Sequence, residues 1–197
     1  MAEQKAKRNL RQDLIEAANS RIQKGGIGDL SLRKLAKDTG VSTMATYHHF
    51  KNKEALLVQI AVEGYEQLAE ELQQASASES DPQQGLRAIM RAYFHFALKQ
   101  PEIYHLMFGR EIQGKSLIPE FKAAANSSFY VFAAALKKQF DASGREADAD
   151  TIGMTFWGTL HGLVCLVSDG TILYNSKSSE KLDRMIEIAA KGLVYIQ

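Results

Sequence analysis

Apolar residues recur every three to four positions along most of the chain, and that period predicts helices throughout. Leu10, Leu14, Ala17, Ala18 and Ile22 form the first stripe, which Gly25 and Gly26 end. Ser31 can cap a second helix with Leu32, Leu35 and Ala36 on its inner face. Gly40 closes that helix, since a tight turn there uses a positive φ. Ser42 can cap a short third helix reaching about Phe50. Asn52 can cap a fourth, with a stripe of Leu56, Leu57, Ile60, Ala61, Gly64, Leu68 and Leu72. The small, polar run "ASASESDP" at 75–82 reads as a linker, and later breaks fall at 113–119, 141–150 and 169–179. Within 118–140, Phe129, Phe132, Ala133, Leu136 and Phe140 line one face. With three prolines and no β-branched run between turn signals, the expected fold is all-α.

The close succession of a helix ending at Gly40 and another starting at Ser42 predicts a helix-turn-helix, whose second helix can enter a DNA major groove. Its small core would be Leu32, Leu35, Ala36, Val41, Ala45 and Phe50. Its outer face would be Thr43, Met44, Thr46, Tyr47 and His48. Thr and Met can meet thymine methyls there, while Tyr and His can donate to phosphates, with Lys51 and Lys53 following.

Charge sharpens this picture. Residues 1–53 hold 11 Lys+Arg against 5 Asp+Glu, a net of +6, whereas the rest holds 13 against 18, a net of −5. A basic head on an acidic body points to a polyanion partner for the head. A composition of 45% hydrophobic and 24% charged residues is that of a soluble globular chain. The single Cys165 and the lack of an apolar secretory segment in the basic N-terminus fit a cytoplasmic protein. The uncharged run Ile152 to Ser168, interrupted by Thr, His and Gly, is expected to fall short of a membrane span and to form a buried helix.

The segment 30–57, "LSLRKLAKDTGVSTMATYHHFKNKEALL", resembles the DNA-binding domain of the TetR family of transcriptional regulators. Tyr47, His48, His49 and Phe50, followed by Lys53, Glu54 and Leu56, carry the resemblance. Met44, Ala45 and Thr46 depart from it, since small residues followed by Leu or Pro are common there. "AYFHFALKQPEIYHLMFG" (92–109) and "FWGTLHGL" (156–163) look like the subgroup whose C-terminal domain is named for a Trp, a His and a Gly, here Trp157, His161 and Gly162. The resemblance implies a three-helix DNA-binding head at residues 1–55 and a larger helical effector-binding and dimerisation domain at 56–197. Ser31, Arg33, Ser42, Thr43, Met44, Thr46, Tyr47, His48, Lys51 and Lys53 are the expected DNA contacts.

Other chemistry in the sequence is weaker. Adjacent histidines on a helix diverge by about 100°, so His48 and His49 make a poor metal pair, and His49 is expected beside Phe50. "GREIQGKS", Gly109 to Ser116, matches the nucleotide-binding pattern G-x-x-x-x-G-K-S, but a helical stretch precedes it where a P-loop has a strand. Lys115 is therefore expected to be dispensable for both stability and activity. His161 and Cys165 stand four apart on one helix, without an acidic or second cysteine cluster to complete a metal site. No catalytic triad or paired carboxylates stand out, and no cofactor or metal is expected.

Tyr93, Phe94, Tyr104, Met107, Phe108, Phe129 and Trp157 exceed what simple packing asks for. With His161 as a polar anchor, they are expected to line a pocket for an apolar or aromatic effector. The helix at 150–168 is apolar nearly all round, so one side needs a partner. Gly158, Gly162 and Leu163, with Met185, Ala189, Leu193 and their neighbours Leu182, Ile186 and Ile196 in the last helix, are expected to form a two-fold, four-helix interface. The expected protein is thus a homodimeric, ligand-responsive repressor of a palindromic double-stranded DNA operator, with no membrane partner. The alternatives are a nucleotide-binding enzyme using the 109–116 loop and a DNA-binding protein without an effector.

Overall fold

The computed structural model describes residues 10–144, 148–171 and 180–188. Among them no residue is in a strand, and the elements are α1 (Leu10–Gly25), α2 (Leu32–Thr39), α3 (Thr43–His49), α4 (Lys53–Ala77), α5 (Pro82–Lys99), α6 (Pro101–Phe108), α7 (Pro119–Ala142), α8 (Ala149–Ser168) and a final helical stretch, α9, at 180–188. Short 3₁₀ turns lie at Ile27–Asp29 and Lys115–Leu117. Asp81 caps α5 ahead of Pro82, its carboxylate accepting from the amides of Gln83 and Gln84, and Asp148 caps α8 through the amide of Thr151.

The described residues form two compact units. One joins the chain through Gly64 to Glu102–Lys122; the other joins Tyr65–Pro101 to the chain from Ala123 onward. The expected boundary at 55/56 falls inside α4, whose first part belongs to the first unit and whose remainder belongs to the second. In the first unit Leu14, Ile15, Ala18, Ile22, Leu35, Leu56 and Ile60 are buried. Helix α6 approaches α4 at Gly64, where a Cβ would lie 2.8 Å from Met107 Sδ and 3.0 Å from Ile103 Cγ2. Any side chain there would make Met107 and Ile103 give way. The second unit buries Leu86, Ile89, Phe96, Leu136, Leu160 and Val164, and stacks Phe132 on Phe156 with ring centroids 5.7 Å apart.

The 109–116 loop lies in the first unit, behind helix α6 rather than a strand. Lys115 Nζ donates to the carbonyls of Met107 at 3.0 Å and Gly109 at 2.6 Å, and sits 5.5 Å from the centroid of the Phe121 ring. It satisfies carbonyls that the end of α6 leaves without helical partners, and places positive charge at the negative end of that helix. Burial pulls its pKa below the ordinary value, with Glu111 opposing the shift. The lysine thus closes a helix, which opposes the expectation that it is dispensable for stability and leaves the expectation for activity as it was. Lys115→Ala should lower stability by about 1–2 kcal/mol, a charged hydrogen-bonding group weakened by partial solvent access. Thermal unfolding checks this, and an unchanged midpoint would contradict it.

Candidate nucleic-acid interface

The helix-turn-helix is assembled by local chemistry. Ser31 Oγ accepts from the Lys34 amide and Ser42 Oγ from the Ala45 amide, each at 3.2 Å, so both serines cap as expected. Between them Gly40 adopts φ 71°, ψ 27°, and its amide donates to the Ala36 and Lys37 carbonyls. An L side chain in that left-handed conformation would be strained. Asn52 Oδ1 accepts from the Ala55 amide at 2.8 Å and starts α4.

On α3 the faces differ in part from expectation. Met44 is 78% exposed, Tyr47 47%, and His48 is exposed too, whereas Thr43 is half-buried. Thr46, expected on the outer face, is fully buried, and this corrects its assignment as a DNA contact. Its hydroxyl donates to the Thr43 carbonyl at 2.7 Å, which leaves its methyl to pack like that of a valine. Ser42, Thr46 and Phe50 recur at four-residue spacing, so Phe50 is buried below Thr46, and Val41 and Ala45 are only half-buried. His49 is half-buried beside Phe50, with its ring 5.7 Å from that of His48.

The remaining expected contacts divide by what already holds them. Arg33 and Lys51 are exposed. Ser31 and Ser42 use their oxygens as caps. Lys53 is half-buried, and its Nζ donates to the Ile27 carbonyl at 2.6 Å, so it ties α4 to the turn after α1 instead of pointing wholly outward. That turn is held from its other side by charge. Arg21 Nη1 reaches Asp29 at 2.6 Å, Lys34 also pairs with Asp29, and Arg21 forks onto both oxygens of Asp38.

Arg11 was missed by sequence reasoning. Its guanidinium lies 5.2 Å from the Phe50 ring centroid and donates to Gln59 Oε1 at 2.6 Å, linking α1 to the end of α3 and to α4. The signal was present: Arg11 precedes Ile15, Ala18 and Ile22 on the buried stripe of α1, where a charge needs a partner.

Of the expected effector residues, Tyr104, Met107 and Phe108 belong to the first unit, and Tyr93, Phe94, Phe129, Trp157 and His161 to the second. In the second, Trp157 Nε1 donates to Tyr93 Oη at 3.1 Å, and the Phe129 and Trp157 rings lie 5.9 Å apart. His161 Nε2 lies 3.6 Å from Cys165 Sγ, whose pKa burial pushes up. Of the expected dimer residues, Gly158 and Gly162 are exposed with open space around them, and Leu163 and Met185 are half-buried. Ala189, Leu193 and Ile196 lie outside the described residues. The expectation of a buried α8 holds for one side only. By length and composition alone Asp150–Ser168 could cross a membrane, a test that the core helix of a soluble protein also passes, and 28% of it is buried.

A capped helix-turn-helix with an exposed second helix, followed by a helical body, defines a class of regulatory protein. Residues 14–60 match the family of bacterial regulatory proteins, tetR family, and residues 86–189 match the tetracyclin repressor-like C-terminal domain. The chain belongs to the TetR family. It is 33% identical over 117 residues to the HTH-type transcriptional repressor AcnR of Corynebacterium efficiens, covering 58% of this chain and 55% of that protein. It is 43% identical over 53 residues to the tetracycline repressor protein class D of Escherichia coli, covering 27% and 24%. The chain thus spans about half the length, or less, of these curated relatives. Among solved structures, a protein of unknown function from Rhodococcus sp. RHA1 superposes with TM-score 0.82 at 28% identity, covering 97% of this chain and 96% of that one. The TetR family regulator PfmR of Thermus thermophilus shares the fold, with TM-score 0.67 at 21% identity over 90% and 97%.

The ion pairs in the head carry a pH signature. Asp38 is held below its ordinary 3.8 by its hydrogen bonds from Arg21, and Asp29 by those from Lys34 and then Arg21. A carboxylate whose folded pKa is depressed stabilises the fold above its unfolded pKa, and that contribution is lost as pH falls through the folded value. Asp38→Asn should therefore melt below wild type at pH 7, with the difference shrinking below about pH 4. A difference that persists undiminished at pH 3 would contradict the assignment.

Proposed function

We propose that this chain is a cytoplasmic, homodimeric, ligand-responsive transcriptional repressor that acts without catalysis. Residues 1–55 bind a palindromic double-stranded DNA operator, and residues 56–197 hold the effector and the partner subunit. The observation that carries the reading is α3, fixed between two capped turns with Met44, Tyr47 and His48 turned to solvent and Lys51 just beyond it. Membership of the TetR family and the likeness to a named repressor support the direction of control. Two recognition helices enter successive major grooves when they sit about 34–36 Å apart. An effector that fits only another arrangement of the two subunits withdraws the population from that spacing.

Helix α8 supports the dimer. Met154 is 57% and Leu166 41% exposed, with Gly158 and Gly162 between them. The Thr155 and Thr159 hydroxyls on the same helix donate back to the carbonyls of Thr151 and Thr155, which satisfies their donors within the helix. A two-fold mate laid on the glycines would cover this face closely. Gly158→Arg should leave the subunit folded, since an exposed helical glycine disfavours the helix by about 1 kcal/mol relative to better helix formers. The variant should sediment as a monomer and lose most of its operator affinity. A monomeric wild type at micromolar concentration that binds a palindrome tightly would contradict the dimer.

The effector is apolar or aromatic and binds beside Trp157, which Tyr93 and Phe129 each already approach. Trp157 is the chain's single tryptophan. A compound that raises thermal stability and releases DNA should change its emission, and Trp157→Phe should weaken release while keeping operator affinity. Release with no change in emission would place the effector elsewhere.

A further inference from the structure

We propose that Met44 is a specificity-determining residue, reading the C5-methyl of one thymine in each operator half-site. The inference rests on the DNA-binding reading above and adds the chemistry of the base recognised. Helix α3 reads Thr-Met-Ala-Thr-Tyr-His-His, and it holds no Arg, Lys, Asn, Gln, Asp or Glu. Bidentate recognition of guanine O6/N7 needs Arg or Lys, that of adenine N6/N7 needs Asn or Gln, and an acceptor for cytosine N4 is supplied by Asp or Glu. This helix offers none of the three.

Burial narrows the choice further. Thr46 is fully buried with its hydroxyl turned to the Thr43 carbonyl, and Ala45 is half-buried. Tyr47 and His48 are exposed and carry polar tips suited to phosphates or single hydrogen bonds. Met44 stands alone on this helix as a large, wholly apolar group in water, 78% exposed, at the second helical position. The first residues of the second helix are the ones that meet base edges in a helix-turn-helix complex. Among the groups the bases present in the major groove, the thymine methyl is the apolar one. An unbranched thioether can settle around it without demanding one rotamer. Removing one buried methyl should weaken binding about fourfold per half-site, so about sixteenfold across a symmetric operator.

The test uses the full-length dimer and an operator recovered by footprinting genomic DNA, with each thymine replaced in turn by deoxyuridine, which deletes the methyl and keeps base pairing. Binding is followed by fluorescence anisotropy. One thymine per half-site should show the fourfold loss with wild type and none with Met44→Ala. On unmodified DNA, Met44→Ala, which changes both subunits, should already show the loss of about sixteenfold. The side chain is exposed, so the variant should fold as wild type does, and matched thermal midpoints verify it. Lys51→Ala serves as the contrast, losing affinity equally on thymine and deoxyuridine DNA and lowering the salt slope by about two, one for each subunit. If no deoxyuridine position separated wild type from Met44→Ala, or if that variant lost affinity equally on both duplexes, the thymine contact would be overturned while DNA binding stood. A wild type that bound no genomic duplex would overturn the DNA-binding reading itself.

Discussion

A helix of seven residues cannot hold itself together in water, because nucleation costs more than so few hydrogen bonds return. Helix α3 therefore exists only through what surrounds it: the Ser42 cap at its start, the burial of Thr46 on its inner face, and Phe50 locked beneath it. The same burial that stabilises α3 sets its rotation. Once Thr46 and Phe50 point inward, Met44, Tyr47 and His48 are left outward. Recognition and stability are two consequences of one packing arrangement. Arg11, lying over Phe50 and bonded to Gln59, extends that arrangement to α1 and α4.

Basic residues in the first unit serve two ends. Arg21 and Lys34 are engaged with Asp29 and Asp38, Lys53 with the Ile27 carbonyl, and Lys115 with carbonyls at the end of α6. These contacts hold the first unit together. The head's net charge of +6 already counts Arg21 and Lys34 as cancelled by Asp29 and Asp38, and the carbonyl bond of Lys53 draws one further cation inward. On the proposed function, long-range attraction would use the whole charge, and the phosphate contacts would fall to exposed groups such as Arg33 and Lys51.

Local chemistry was legible in the sequence and distant chemistry was not. Ser31, Ser42 and Asn52 each announce a helix by accepting from an amide three residues on, and Gly40 announces the turn between two of them. Thr46 was misassigned because threonine is polar by composition yet can hide its hydroxyl in its own helix and bury a methyl. Lys53 meets a carbonyl 26 residues away, and no periodicity encodes that contact. Within the first unit, Gly64 likewise comes against Ile103 and Met107 across a long separation in sequence. For α8 the sequence conveyed apolarity on all sides, but which side stays open is decided by tertiary packing.

Hydroxyl-radical footprinting of the purified protein on its tightest genomic fragment tests most directly whether α3 reads DNA as one of a two-fold pair. Two protected patches are expected on one face of the duplex, related by two-fold symmetry, with centres about 10 base pairs or a multiple of that apart. A single patch, or protection spread evenly along the fragment, would contradict the paired reading.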